Sequence, residues 1–260
     1  MTLRWATGAV AIVALSACGG APGRALPPGA AVTLAHSDRW AHADARVGTY
    51  VSSNWGFSTN TFFIEGPDGV VVIDTQFLPS AAAEMIDWVE RATGKRIVLA
   101  VVLHPNPDKY NGTATLQAHG VRVVTSEQVA RLIPAVHEKR MRSFYARYAP
   151  DYPRTAPTLE SFGEQSTDLT GGGLRLHAYV MGPGCSDAHV VVEWEGHLFP
   201  GDLVANQSHS WLELGHTEEW LQRLAELRAM HPLYVHPGRG PSGGPELIDA
   251  EDRYLRDVMA

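Results

Sequence analysis

The sequence lacks several features that would settle its class at once. Among its 260 residues there are only two cysteines, Cys18 and Cys185. That excludes a disulfide framework, and a chain of this length can bury a core without one. Basic residues are in the minority: 21 Lys plus Arg against 28 Asp plus Glu, a net charge of −7. Binding to phosphate backbones needs the opposite balance, so no nucleic-acid partner is expected. No apolar run is long enough to remain as a membrane span. There is no Gly-x-Ser-x-Gly elbow, no phosphate loop, no Cys-x-x-Cys pair and no short internal repeat. Gly171-Gly172-Gly173 precedes a strand instead of opening a helix, so it is no phosphate cradle. What remains is 45% hydrophobic and 19% charged, the composition of a folded globular protein.

The two cysteines separate at once. Residues 1–18 read MTLRWATGAVAIVALSAC: one positive residue, Arg4, then a short apolar run, then Leu15-Ser16-Ala17-Cys18. This resembles a bacterial lipoprotein signal, in which Cys18 is lipidated and becomes the first residue. The other reading is an ordinary cleaved signal with Cys18 as a bystander. The expected organisation is a signal peptide at 1–17, a flexible tether at 18–45 and one folded domain at 46–260. Residues 19–31 (GGAPGRALPPGAA) carry the tether composition. The expected location is extracytoplasmic, attached to a bacterial membrane only through the anchor. Cys185 then has no partner for a disulfide.

Along the domain, Thr61–Glu65 and Val70–Asp74 flank a Gly-Pro-Asp-Gly turn and predict a hairpin. Pro79 opens a helix to Ala92, and Ile97–Leu103 is a buried strand ending at His104. Helix, strand and helix follow over 113–133, the last capped by Ser126. Residues 134–165 turn from helical to loop-like. Strands follow at Leu174–Val180 and, around a Glu195-Gly196 turn, at Val190–Trp194 and His197–Phe199. A helix capped by Thr217 runs to Met230, Leu233–Val235 is a strand, and Pro245 starts the last helix. Strands and helices occur twice over, split near 165, which favours sheets covered by helices.

Three kinds of polar loop end these strands: His104-Pro105-Asn106-Pro107-Asp108-Lys109, Gly182-Pro183-Gly184-Cys185, and Pro200-Gly201-Asp202 with Pro237-Gly238-Arg239-Gly240. Function usually sits in such loops. With the strand ending in Asp74-Thr75, they resemble the metallo-β-lactamase superfamily over nearly all of 48–258. The resemblance implies a four-layer αββα sandwich, α+β or α/β in class, with a metal site at the sheet edge. It also implies seven ligand positions. His104, Asp108 and Asp202 keep the family's residue type; Asn106, Lys109, Cys185 and Arg239 depart from it.

The departures have a chemical pattern. Lys and Arg are cations without lone pairs to give a metal. Lys109 and Arg239 are therefore expected to neutralise Asp108 and Asp202 in place of a second metal. His104, Cys185 and Asp202, with Asn106 as a weak oxygen donor, can bind one zinc and leave room for water. The reading is a hydrolase of an ester, thioester, lactone or amide. Asp108 would orient or deprotonate water, and Lys109 and Arg239 would hold the developing anion. The family's dinuclear mechanism does not carry over, and β-lactam hydrolysis is not expected. Two alternatives stay open: a metal-free binding lipoprotein using the same cleft, and a metal-free Cys–His hydrolase or redox protein in which an electropositive setting activates Cys185. Trp55, Phe57, His209 and Trp211 are expected to line a pocket for a small molecule. Among the remaining histidines, His236 has two readings, an ordinary core or surface residue, which is the commoner case, and a substitute ligand turned inward.

Overall fold

A computed structural model describes residues 34–40 and 43–260. The signal and Cys18 lie outside the described residues. Alternating and wholly apolar runs build a first sheet of seven strands in chain order. These are β1 (His36–Arg39), β2 (Val47–Val51), β3 (Asn60–Glu65), β4 (Val70–Ile73), β5 (Ile97–Val101), β6 (Arg122–Thr125) and β7 (Glu160–Ser161). The first four pair antiparallel, and β4 to β7 pair parallel. Helices α1 (Pro79–Thr93), α2 (Pro107–Tyr110), α3 (Thr113–Ala118) and α4 (Glu127–Tyr148) fall between them.

The second sheet has the order β12-β11-β10-β9-β8. Its strands are β8 (Thr167–Gly171), β9 (Leu174–Met181), β10 (His189–Trp194), β11 (His197–Ala205) and β12 (Tyr234–Arg239), with α5 (Thr217–Ala229) and α6 (Glu246–Met259). One core cluster joins both sheets, from Val47 and Phe63 to Val190 and Phe199. A second packs Trp220 and Leu224 of α5 and Ile248 and Leu255 of α6 on that sheet's other face. The layers are therefore helix, sheet, sheet, helix, as expected from the sequence. The break between sheets falls between Ser161 and Thr167.

Local expectations needed three corrections. β1 lies inside the segment read as tether, where it pairs with β2 from His36↔Val51 to Arg39↔Gly48. Helix α4 joins the helix read up to Ile133 with the helical start of 134–165 into one element that runs through Pro134 to Tyr148. Its buried Ile133, His137 and Tyr148, with half-buried Met141 and Phe144 packed on Phe77, sustain it past the proline. Tertiary packing here outweighs a local breaker. Finally, α5 is preceded by His216 at the cap position, with no side-chain cap.

Candidate metal centre and cleft

The centre is assembled where strands run out. Asp74 follows β4 at φ 69°, and its Oδ1 accepts the Leu103 N–H at 2.9 Å. His104 follows β5, while Asp108 and Lys109 lie in the short helix α2. Asp202 lies within β11, just past Pro200-Gly201, where the pairing of β11 with β12 is irregular. Gly201 has φ 58° there, a conformation glycine adopts freely. Gly238 has a different reason: a Cβ would sit 1.9 Å from Asp202 Oδ1 and 2.7 Å from the Asp202 nitrogen. Gly238→Ala should therefore displace Asp202 and cost about 1–3 kcal/mol, as overpacking does. A melting temperature equal to the parent's would refute this.

Lys109 is fully buried among three carboxylates. Its Nζ lies 2.8 Å from Asp202 Oδ1, 3.1 Å from Asp108 Oδ2 and 3.7 Å from Asp74 Oδ2. Arg239 Nη2 donates to Asp108 Oδ2 at 2.7 Å, and its Nη1 donates to the Phe57 carbonyl at 2.6 Å and Thr59 Oγ1 at 2.9 Å. Burial alone would lower the Lys109 pKa, but the three aspartates hold it above the lysine range. Burial alone would raise Asp108 and Asp202; Lys109 outweighs this and holds both below the carboxylate range, aided at Asp108 by Arg239 and at Asp202 by His104. The cluster is thus a network of full charges.

Asp74 is the exception. Burial dominates there and lifts its pKa from 3.8 to about 6. A raised carboxyl pKa favours folding when protonated. Its stabilisation is complete below about pH 4 and is lost as pH rises through about 6. Asp74→Asn should remove that loss, about 3 kcal/mol at 1.4 kcal/mol per pH unit. Relative to the parent, the variant gains stability at pH 8 and none at pH 4. An equal difference at both pH values would contradict this.

On the other side of Asp202, three unlike donors converge. His104 is fully buried, its Nε2 lies 3.4 Å from Asp202 Oδ2, and neither ring nitrogen makes a hydrogen bond. Ligand atoms of His104, Cys185 and Asp202 all lie within 4.8 Å of one another. Zinc bond lengths of about 2.0–2.3 Å require tetrahedral ligands roughly 3.5 Å apart. The site fits a zinc after a contraction of about 1 Å, and thiolate, imidazole and carboxylate are all zinc ligands.

Cys185 does not stand in the electropositive setting expected of it. Burial, then Asp202, pushes its thiol well above the ordinary range. Its near imidazole is His189, at 3.9 Å from Nε2, a nitrogen that also accepts the Ser186 N–H at 3.1 Å. Burial, then His104, keeps His189 neutral. A protonated, enclosed thiol is the reverse of an activated nucleophile.

The cleft beside the centre has a volume of about 240 Å³. Phe57, His209 and Trp211 line it, with Asn106, Asp108, Asp202 and Arg239 at the polar end. Trp55 corrects the expectation: it packs on Tyr148 at 4.6 Å between centroids, beneath Arg147, and does not line the cleft. Lys109 needs the same correction, because a fully buried ammonium cannot hold an anion on a substrate. His236 turns to His197 instead of the centre. Sequence reasoning missed Phe77, Arg140 and Phe144 of the cleft wall, two of which lie in the stretch of α4 beyond Pro134. It also missed Glu251 of α6, which accepts the Ala205 N–H at 3.0 Å and Ser210 Oγ–H at 2.6 Å and so holds the Asp202–Trp211 segment. Asp74 carried a readable signal, an acidic residue ending an apolar strand.

Comparison with known proteins accords with this geometry. Residues 54–239 match the sequence model of the metallo-beta-lactamase superfamily. A metallo-beta-lactamase type 2 of Bacteroides fragilis is 25% identical over 217 residues, covering 78% of this chain and 80% of that protein. A metallo-beta-lactamase from Pontibacter korlensis superposes with a TM-score of 0.65 at 22% identity, covering 86% of this chain and 99% of its own. FIM-1 of Pseudomonas aeruginosa, in its mono-zinc form, gives 0.66 at 22% identity over 87% and 96%. With the family model matching residues 54–239, well over half the sequence, the chain belongs to the metallo-beta-lactamase superfamily.

Proposed function

We propose that the chain is a hydrolase of an ester, thioester, lactone or amide that works with one zinc ion held by His104, Cys185 and Asp202. The observation that carries this reading is the convergence of those three donors at the polar end of an aromatic cleft. Zinc at that point would supply Lewis-acid activation of water and of a carbonyl oxygen. The chain's own residues do the rest. Phe57, Phe77, Phe144 and Trp211 take the apolar part of the substrate. Arg239 reaches the cleft while anchored to Asp108, and its fixed charge is placed for an oxygen that gains negative charge. Asp108 also lines the cleft but is held ionised by two cations, which suits it to orient water more than to take its proton. Lys109 acts behind it, as a positioning residue. Lipidation at Cys18 would hold the domain at a membrane facing out of the cytoplasm, and acyl labelling lost in Cys18→Ala tests that.

The function is tested by zinc content together with a screen of esters, thioesters and lactones. Activity removed by chelator and restored by zinc supports it. Activity indifferent to chelator but lost in Cys185→Ala would favour thiol chemistry. Neither zinc nor activity would leave a binding protein.

A further inference from the structure

Two buried histidines take no part in the zinc centre. His197 opens β11 and His236 lies in β12, and both are at most 2% exposed. They are linked: His197 Nδ1 lies 2.9 Å from His236 Nε2. His236 Nδ1 lies 2.9 Å from Ser242 Oγ, and His197 Nε2 lies 3.5 Å from Asp44 Oδ2. The direction of this chain follows from its end. Asp44 is ionised, held below the carboxylate range by Arg46, and so can only accept. His197 must then carry its proton on Nε2 and accept at Nδ1. His236 must donate from Nε2 and accept at Nδ1. Ser242 therefore donates its hydroxyl proton to His236. Burial, then the neighbouring His197, lowers the His236 pKa to about 3, which keeps Nδ1 an acceptor and makes it a weak base, so the reaction it assists is a slow one.

The serine is held in place and accessible. The adjoining Gly243 exchanges backbone hydrogen bonds with Val235, at 2.9 and 3.0 Å. Ser242 faces a second cleft of about 560 Å³, lined also by His36, Arg39, Trp40, Asn60 and Pro241. Phe199 and Phe62 pack on His236, at 4.5 and 5.1 Å between ring centroids, and fix its plane. A serine, an oriented imidazole and, one imidazole further on, a carboxylate that fixes both tautomers extend by one histidine the arrangement by which serine nucleophiles are activated.

We propose that Ser242 is a second nucleophilic site, independent of the zinc centre, that accepts acyl groups from carboxylic esters entering this cleft. Ser242 Oγ forms a bond to the acyl carbon as its proton passes to His236 Nδ1. The carbon–alkoxide bond breaks, and the alcohol leaves with that proton. Water then cleaves the acyl-serine, so the sum is ester plus water to acid plus alcohol. His197 and Asp44 share the transient positive charge on His236.

The test uses the full chain with chelator present and an alkyl fluorophosphonate as probe. In that reaction the Oγ–P bond forms, the P–F bond breaks and fluoride leaves. The expected result is one adduct, mapped by mass spectrometry to Ser242 and absent from Ser242→Ala. Labelling should slow at least tenfold in Asp44→Asn and in His236→Gln, each checked for a parental circular dichroism spectrum. No adduct at Ser242, or one that forms at the parental rate in both folded variants, overturns the proposal. Chelator in every sample keeps the outcome separate from the zinc-dependent reading.

Discussion

Lys109→Met should lower the free energy of unfolding by about 3–5 kcal/mol, the cost of leaving buried charges without their partner. The ammonium is fully buried and meets Asp202, Asp108 and Asp74 at 2.8, 3.1 and 3.7 Å. Methionine fills similar volume, so lost packing contributes little and the effect is electrostatic. Arg239 still reaches Asp108, but among the described residues no other basic side chain lies within ion-pair distance of Asp74, and only His104 does so at Asp202. Two further outcomes follow. Asp74→Asn in the Lys109→Met background should return part of the loss, because it removes one unpaired carboxylate. The loss should also shrink at low pH, where the carboxylates protonate. Denaturant titration at pH 5 and pH 8 measures both. A loss below about 1 kcal/mol at pH 8 would place this cluster among ion pairs whose desolvation cancels their attraction.

That cluster also shows what the sequence could and could not convey. The layer order was legible because apolar strands and amphipathic helices alternate with clear turn residues. The Glu195-Gly196 turn is such a case, with both residues at positive φ in a two-residue hairpin. The residue types of the centre were legible because His104, Asp108, Lys109 and Cys185 follow strands, Arg239 ends one, and Asp202 comes straight after a Pro-Gly pair inside β11. Their distances were not. Nothing local in the sequence places Lys109 beneath the carboxylates instead of facing the cleft. That depends on the direction of α2 and on Thr75, whose N–H and Oγ–H both donate to the Lys109 carbonyl at 2.8 Å. Nor could a list of histidines show which pair off. His236 lies beside Pro237-Gly238-Arg239 in β12, yet period-two alternation puts its side chain on the face where Phe199, Phe62 and His197 lie. Trp55 fails similarly: the 3₁₀ turn Asn54–Gly56 points it to Tyr148 while Phe57, at φ 65°, turns to the cleft.

Cys185→Ala should reduce bound zinc from about one equivalent to below about one tenth, since lost thiolate ligation weakens a zinc site by several orders of magnitude. The argument rests on how few donors the centre has. His104 and Asp202 are the only other His, Cys or acidic side chains in the cluster found among the described residues, and two ligands do not retain zinc through dialysis. The metal-free thiol is pushed well up by burial, so binding zinc must expel its proton. Affinity should therefore fall about tenfold for each pH unit below the thiol's pKa. The Cys185→Ala variant should show no such slope from this residue. Cobalt supplies an independent readout: a thiolate-to-metal charge-transfer band in the parent that is absent in Cys185→Ala. Hydrolysis that needs the centre should fall at least 100-fold with the metal. Equal zinc in parent and variant would put the ion elsewhere. Zinc bound in both, without the cobalt band in the parent, would remove Cys185 from the ligand set and leave its burial to packing against Leu203 and Trp220 in the second core.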